Sequence, residues 1–252
     1  MKRASILIAL GVGAYLAFVL TTLPASIVAS QIESHGLTAV SSSGTVWEGR
    51  LLGLRSGTTP LGDVSWQLQP SKLLLGTLAA HVELARPDGF ARGRLAAQLG
   101  GDLQVSDADL ALPLAALAAV GAPAGWQGSL HANVDGLTLA EGWIVAMQGQ
   151  VEARDLVGPA RNPARMGGFR VVFPAAIGPA HTPGMLVGEL DDLGDGPLDV
   201  TGTIALSRDR SYRIEGWVAA RSTAPQGVVD TLRFLGPPDA AGRRPFTIEG
   251  TL

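Results

Sequence analysis

The chain reads as mainly β: an N-terminal transmembrane helix, then a long, curved, mostly antiparallel sheet of many short strands with two short helices. Three observations predict this. An uncharged run fills Ala4–Leu23 behind Lys2 and Arg3. The composition pairs 46% apolar residues with only 5% aromatics, 33 Gly and 16 Pro, which suits many short strands and turns better than a helical bundle. A five-residue pattern, apolar–x–Gly–x–apolar, also keeps returning. It occurs at Leu74–Leu78, Ala91–Leu95, Trp126–Leu130, Met147–Val151, Leu186–Leu190, Val200–Ile204, Ile214–Val218 and Ile248–Leu252. In an extended chain the Gly and both apolar residues share one face, so each copy predicts a half-buried strand with a gap in its buried face. The irregular spacing of the copies excludes a fixed-period solenoid.

At about 1.5 Å per residue, twenty apolar residues cross a bilayer core of about 30 Å. The flanking Lys2 and Arg3 place the N-terminus on the cytoplasmic side, with the strands outside the cytoplasm. A cleaved signal peptide is the competing reading. Its apolar region is usually about 7–15 residues, so the length of this run favours an uncleaved anchor. The expected division is a cytoplasmic tail at 1–3, the helix at 4–23, a membrane-exit linker at 24–40 and a periplasmic β-rich domain at 41–252. A short helical turn or two is expected in Pro24–Gln31.

Val64, Trp66 and Leu68 alternate with polar neighbours until Pro70, and Lys72–Leu75 reads as a helical turn before alternation resumes at Leu78. Pro113–Val120 places Leu114, Leu117 and Ala118 at helical spacing, so a short helix there marks a seam near 113–127. Val145–Ala153 is among the cleanest strands. Gly158–Gly184 reads as a long loop around a short strand at Phe169–Phe173. Leu193–Pro197 and Arg208–Arg210 are turns. Thr223–Leu235 is the second helix, stopped by Gly236-Pro237-Pro238, and a last strand occupies Phe246–Leu252.

A net charge of −3, with no run of Lys or Arg longer than two, offers no phosphate-binding surface, so nucleic acid is not a partner. The chain has no Cys, and its histidines, His35, His81, His131 and His181, stand far apart. Neither thiolate chemistry nor a spaced metal site is indicated. Asp191, Asp192 and Asp195 resemble a calcium loop only superficially and read as a turn. No nucleophile elbow, phosphate-cradling loop or dinucleotide fingerprint is present, so catalytic, cofactor and metal residues are all expected to be none. The remaining candidates are surfaces. The tryptophans read as fillers of the core or caps of sheet edges, or else Trp47, Trp66 and Trp217 form a candidate interaction set, with Trp217 on the opposite parity from Ile214 and Val218 and so facing outward. Gly188, Gly202 and Gly216 either give curvature and close packing or open a groove for an acyl chain or a partner's side chains.

Several short motifs, in order, resemble a known family. Ser43-Gly-Thr-Val-Trp-Glu-Gly49, Val64-Ser-Trp66 before Pro70, and Leu74-Leu-Gly76 resemble protein N of the bacterial type II (general) secretion pathway. So do Gly188-Glu-Leu-Asp191, Gly196-Pro-Leu198 leading to Gly202, Tyr212–Gly216, Leu235-Gly-Pro-Pro-Asp239, Gly242-Arg243 and Gly250. The resemblance implies a single-pass protein of the Gram-negative inner membrane with a periplasmic domain. It would be a non-catalytic accessory of the machine that exports folded periplasmic proteins, with other components of that machine and the bilayer as partners. It also implies a relation to AsmA-like proteins, whose curved sheets form open grooves suited to lipid, which makes a lipid-binding or lipid-transfer role the alternative.

Overall fold

The computed structural model describes residues 18–19, 21–73, 75–98, 101–120, 125–159, 165–174 and 185–251. Its strands divide into two compact units, the first ending at Pro87 and the second beginning at Asp88.

The first unit holds helix α1 (Ser26–Glu33) and strands β1 (Leu37–Thr38), β2 (Ser41–Gly44), β3 (Glu48–Ser56), β4 (Thr59–Leu68) and β5 (Thr77–Arg86), with a single helical turn, α2 (Pro70–Leu73), between β4 and β5. β3, β4 and β5 are antiparallel neighbours, and β1 and β2 both pair with β3. Opposed residues fall on one face, so Leu51↔Val64 with Val64↔Leu84, and Gly49↔Trp66 with Trp66↔Val82, build an apolar side. Arg50, Ser65 and Glu83 build the polar one. α1 brings Val28 and Ile32 to the apolar side, where they bound a cavity of about 310 Å3 with Leu51, Leu54, Val64 and Trp66.

The second unit runs β6 (Gly89–Gln98), β7 (Leu103–Pro113), β8 (Gln127–Ala140), β9 (Trp143–Val157), β10 (Arg165–Phe173), β11 (Met185–Asp192), β12 (Leu198–Ser207), β13 (Ser211–Ala220) and β14 (Arg244–Thr251). Each strand is antiparallel to the one before it, an up-and-down meander. Register carries one apolar face through Leu110, Ala132, Val151, Val171, Leu190, Gly202, Gly216 and Phe246, each opposed to the next. α3 (Gln226–Leu232) continues as a 3-10 turn, Arg233–Leu235, and lies on this face. Leu232 joins Leu198, Val200 and Val218 in the buried core, with Phe169, Leu190, Val228 and Phe246 packed around them. Full burial of such a side chain is worth about 1.5–3 kcal/mol, so this cluster anchors the unit.

Several expectations need correction. The second helix starts at Gln226 rather than Thr223, because Pro225 has ψ 146°, outside the helical region. Residues Leu114–Val120 form a 3-10 helix. No unit boundary falls there, since Leu112↔Leu130 and Pro113↔Ser129 pair across the connection; the boundary falls at Pro87–Asp88. In the Leu74–Leu78 copy of the Gly pattern the glycine precedes the strand instead of lying within it: Gly76 sits at φ +74° in a turn, and β5 begins at Thr77. Gly149 sits at φ +146° beside a register break between Val134 and Gly136, so this copy marks a bulge. The strand inside Gly158–Gly184 is longer than expected, Arg165–Phe173, while residues 160–164 and 175–184 lie outside the described set. The expected anchor, 4–23, also lies largely outside it. Among the described residues no helix is long and apolar enough to cross a membrane.

Candidate functional site

Trp66 is half-buried on the apolar face of the first unit. Its ring lies over Gly49, where a β-carbon would collide with it, and its indole N–H donates to the Val46 carbonyl at 2.8 Å. Trp47 is half-buried, and its carbonyl accepts from the Leu68 N–H at 2.6 Å. Trp217 is different. It lies between Thr201 and Pro245 on the polar face of β12–β14, is 40% exposed, and carries the Arg243 guanidinium 5.4 Å from its ring centre. Trp47 and Trp66 belong to the first unit and Trp217 to the second.

The glycines also have separate settings. A β-carbon at Gly188 would meet the Phe173 ring at 2.6 Å and Val171 at 2.7 Å, so those side chains fill its gap. Gly202 and Gly216 are directly opposed, and a β-carbon on Gly216 would meet Gly202 Cα at 2.6 Å. The space at this pair is taken by neighbouring backbone, as close strand approach requires.

The acidic turn after β11 is occupied by structure. Asp192 Oδ1 accepts from the Gly194 N–H at 2.7 Å and pairs with Arg221 at 2.7 Å, while Oδ2 accepts from the Val200 N–H at 2.9 Å. Its side chain is only 9% exposed. Burial works to raise its pKa, but the Val200 N–H, the Arg221 guanidinium and the Gly194 N–H together outweigh it and hold the carboxyl below its ordinary value. Asp195 Oδ1 takes the Gly168 N–H at 2.8 Å. Arg221 also donates to the Leu198 carbonyl at 2.5 Å. A guanidinium and backbone amides thus fill the positions a cation would need.

Other titratable groups are likewise in structural service or dispersed. Asp209 and Asp239 are lowered by turn hydrogen bonds, first of all to Ser211 and to the Arg243 N–H respectively. His131 bonds the Ser129 hydroxyl at 3.1 Å, His35 bonds Ser34 at 3.1 Å, and His181 lies outside the described residues. Among the described residues no three His, Asp or Glu converge as metal ligands.

Two exposed apolar groups escaped the sequence reading. Phe234 is 91% and Leu235 40% exposed just after α3. In the first unit Leu73 is 39%, Leu75 82% and Leu78 46% exposed around α2. The signal for the second is the unbroken leucine run beside Lys72, whose spacing alone indicates only a helical turn.

The arrangement defines a class of protein: a strand-built scaffold whose distinctive features are surfaces, with exposed aromatic and leucine side chains. Its family follows from comparison with known proteins. The model of the family "Type II secretion system (T2SS), protein N" matches residues 35–247, and the chain belongs to that family. The Type II secretion system protein N of Vibrio cholerae serotype O1 is 27% identical over an alignment of 268 positions, and that of Aeromonas hydrophila 26% over one of 276. Both alignments cover the full length of both chains. No solved structure matches it.

Proposed function

We propose that this chain is an accessory, non-catalytic component of the type II secretion system, held in the inner membrane by residues 4–23, with its N-terminus cytoplasmic and its strands periplasmic. It supports export of folded periplasmic proteins by contacting other inner-membrane and periplasmic components of the system. The observation that carries this reading is the family match over residues 35–247, with relatives aligned end to end. Exposed Trp217, with Arg243 stacked on it, and Phe234 offer the second unit contact residues of the types that dominate protein interfaces.

A second reading has one observation in its favour. α3 packs against the core at Leu198, Val200 and Val218, whereas Ile204 and Ile214 on the same apolar face are half-buried and Ile248 is 50% exposed. An uncovered apolar strip of this kind suits an AsmA-like lipid-binding or lipid-transfer role.

Gentle extraction of the full-length protein, with mass spectrometry of co-purifying proteins and lipids, separates the two. Secretion-system subunits without stoichiometric phospholipid are expected. Phospholipid at near one per chain without those subunits would replace the assembly role by lipid handling.

A further inference from the structure

The β4–β5 connection of the first unit is an unusual tip for a strand pair. Exposed loop ends are normally polar, yet this one presents Leu73, Leu75 and Leu78 to solvent beside an exposed Lys72. Two backbone hydrogen bonds join its flanks: the Leu75 N–H donates to the Lys72 carbonyl and the Gly76 N–H to the Leu73 carbonyl, each at 3.0 Å. Leu73 and Leu75 in the turn and Leu78 at the start of β5 are not a packing remainder, because no described element lies over them.

The position of the tip supplies its partner. The Val46 N–H donates to the carbonyl of Leu23, the last residue of the uncharged run, at 2.8 Å. Pro24 bridges Thr45, and the Ala25 N–H reaches the Gly44 carbonyl at 3.1 Å. The next residue, Trp47, accepts from Leu68, and Gln69 donates to the Ala79 carbonyl at 2.8 Å. A continuous set of backbone hydrogen bonds therefore ties the end of the apolar run to the base of the leucine tip. Both lie at the same end of the first unit's strands.

We propose that the 70–78 tip is a second membrane contact, in which Leu73, Leu75 and Leu78 enter the lipid headgroup and acyl boundary while Lys72 stays with the phosphates. This rests on the reading of residues 4–23 as an anchor. Apolar side chains at such an interface bury about 5–10 Å deep, and lysine stems reach back to the headgroups. One helix alone leaves a domain free to swivel. A second contact fixes which end of the first unit faces the bilayer.

The chain contains no cysteine, so single cysteines report cleanly. Leu75→Cys, Phe18→Cys and Thr58→Cys are each labelled with an environment-sensitive dye in the full chain. The labelled chains are reconstituted into phosphatidylethanolamine–phosphatidylglycerol vesicles, with and without brominated acyl chains. Thr58 is an exposed residue of the opposite turn, about 30 Å away along ten-residue β4. The expected result is a blue-shifted, bromine-quenched signal from Phe18→Cys and Leu75→Cys and a water-like signal from Thr58→Cys. Quenching at Phe18→Cys with a water-like Leu75→Cys would overturn the tip contact and leave the anchor standing. An unquenched Phe18→Cys would overturn the anchor, and this proposal with it. Leu75 is 82% exposed, so its substitution does not endanger the fold.

Discussion

The first unit closes its apolar face with α1, which comes before the sheet in the chain, and with Trp66 laid over Gly49. The second closes part of its face with α3, which is inserted between β13 and β14, and pins the neighbouring turn with the Asp192–Arg221 pair. Their cores differ accordingly. Under α1 lies an apolar cavity of about 310 Å3, whereas under α3 Leu198, Val200, Val218 and Leu232 are in mutual contact. The first unit therefore depends on one large side chain, and the second on a distributed core with a polar lock.

Removing that large side chain is the strongest way to break the contrast. Trp66→Ala deletes the indole, enlarges an existing cavity and leaves the Val46 carbonyl without its donor, so a loss of about 3 kcal/mol is expected in denaturant unfolding. A loss below about 1 kcal/mol would mean that α1, not Trp66, carries the first unit.

The lock in the second unit comes next. Asp192→Asn keeps the volume but removes the charge that Arg221 and two backbone amides address, for an expected cost of about 2 kcal/mol at neutral pH. The pH dependence has a definite sign. The folded carboxyl lies below its ordinary value of 3.8, so the stabilisation is complete above that value and is lost as pH falls through the folded value. The gap between wild type and Asp192→Asn should stay flat from neutral pH down to about 5 and close only in acid below 3.8. A gap that instead closes near pH 6 would assign the stabilisation to another group.

This lock also marks how far the sequence could be read. Alternation such as Val200, Ile204 against Asp199, Thr201, Thr203 has period two in the chain itself, so β12 and its neighbours were legible. The second helix was legible from Pro225 and Gly236, each acting on its own backbone. Asp192 meeting Arg221, Gly149 at a bulge and the division at Pro87–Asp88 all depend on register between strands, which no local pattern encodes. The tryptophans show the same limit. Parity alone placed Trp217 outward, and it is 40% exposed. Parity likewise puts Trp66 with Val64 and Leu68 on the apolar face, but that its ring lies over Gly49 follows only from the β3–β4 register.

Trp217 gives the smallest expected change in stability and the sharpest contrast with Trp66. Its contact with Arg243 lies at an exposed site, where cation–π attraction is worth about 0.5–1 kcal/mol, and Arg243 keeps its pair with Asp239 at 3.0 Å when the ring is gone. Trp217→Ala should therefore unfold within about 1 kcal/mol of wild type. If the ring instead serves a partner, its loss removes a large, rigid contact from the centre of an interface, where truncating a tryptophan costs about 2 kcal/mol or more in binding. The expected outcome is a folded chain that retains fewer secretion-system subunits on gentle extraction. Unchanged retention would remove Trp217 from the interface and leave exposed Phe234 and Phe90 as the second unit's candidate aromatic contacts. A loss of stability as large as that of Trp66→Ala would show that both units rely on their tryptophans alike, and the contrast between them would fail.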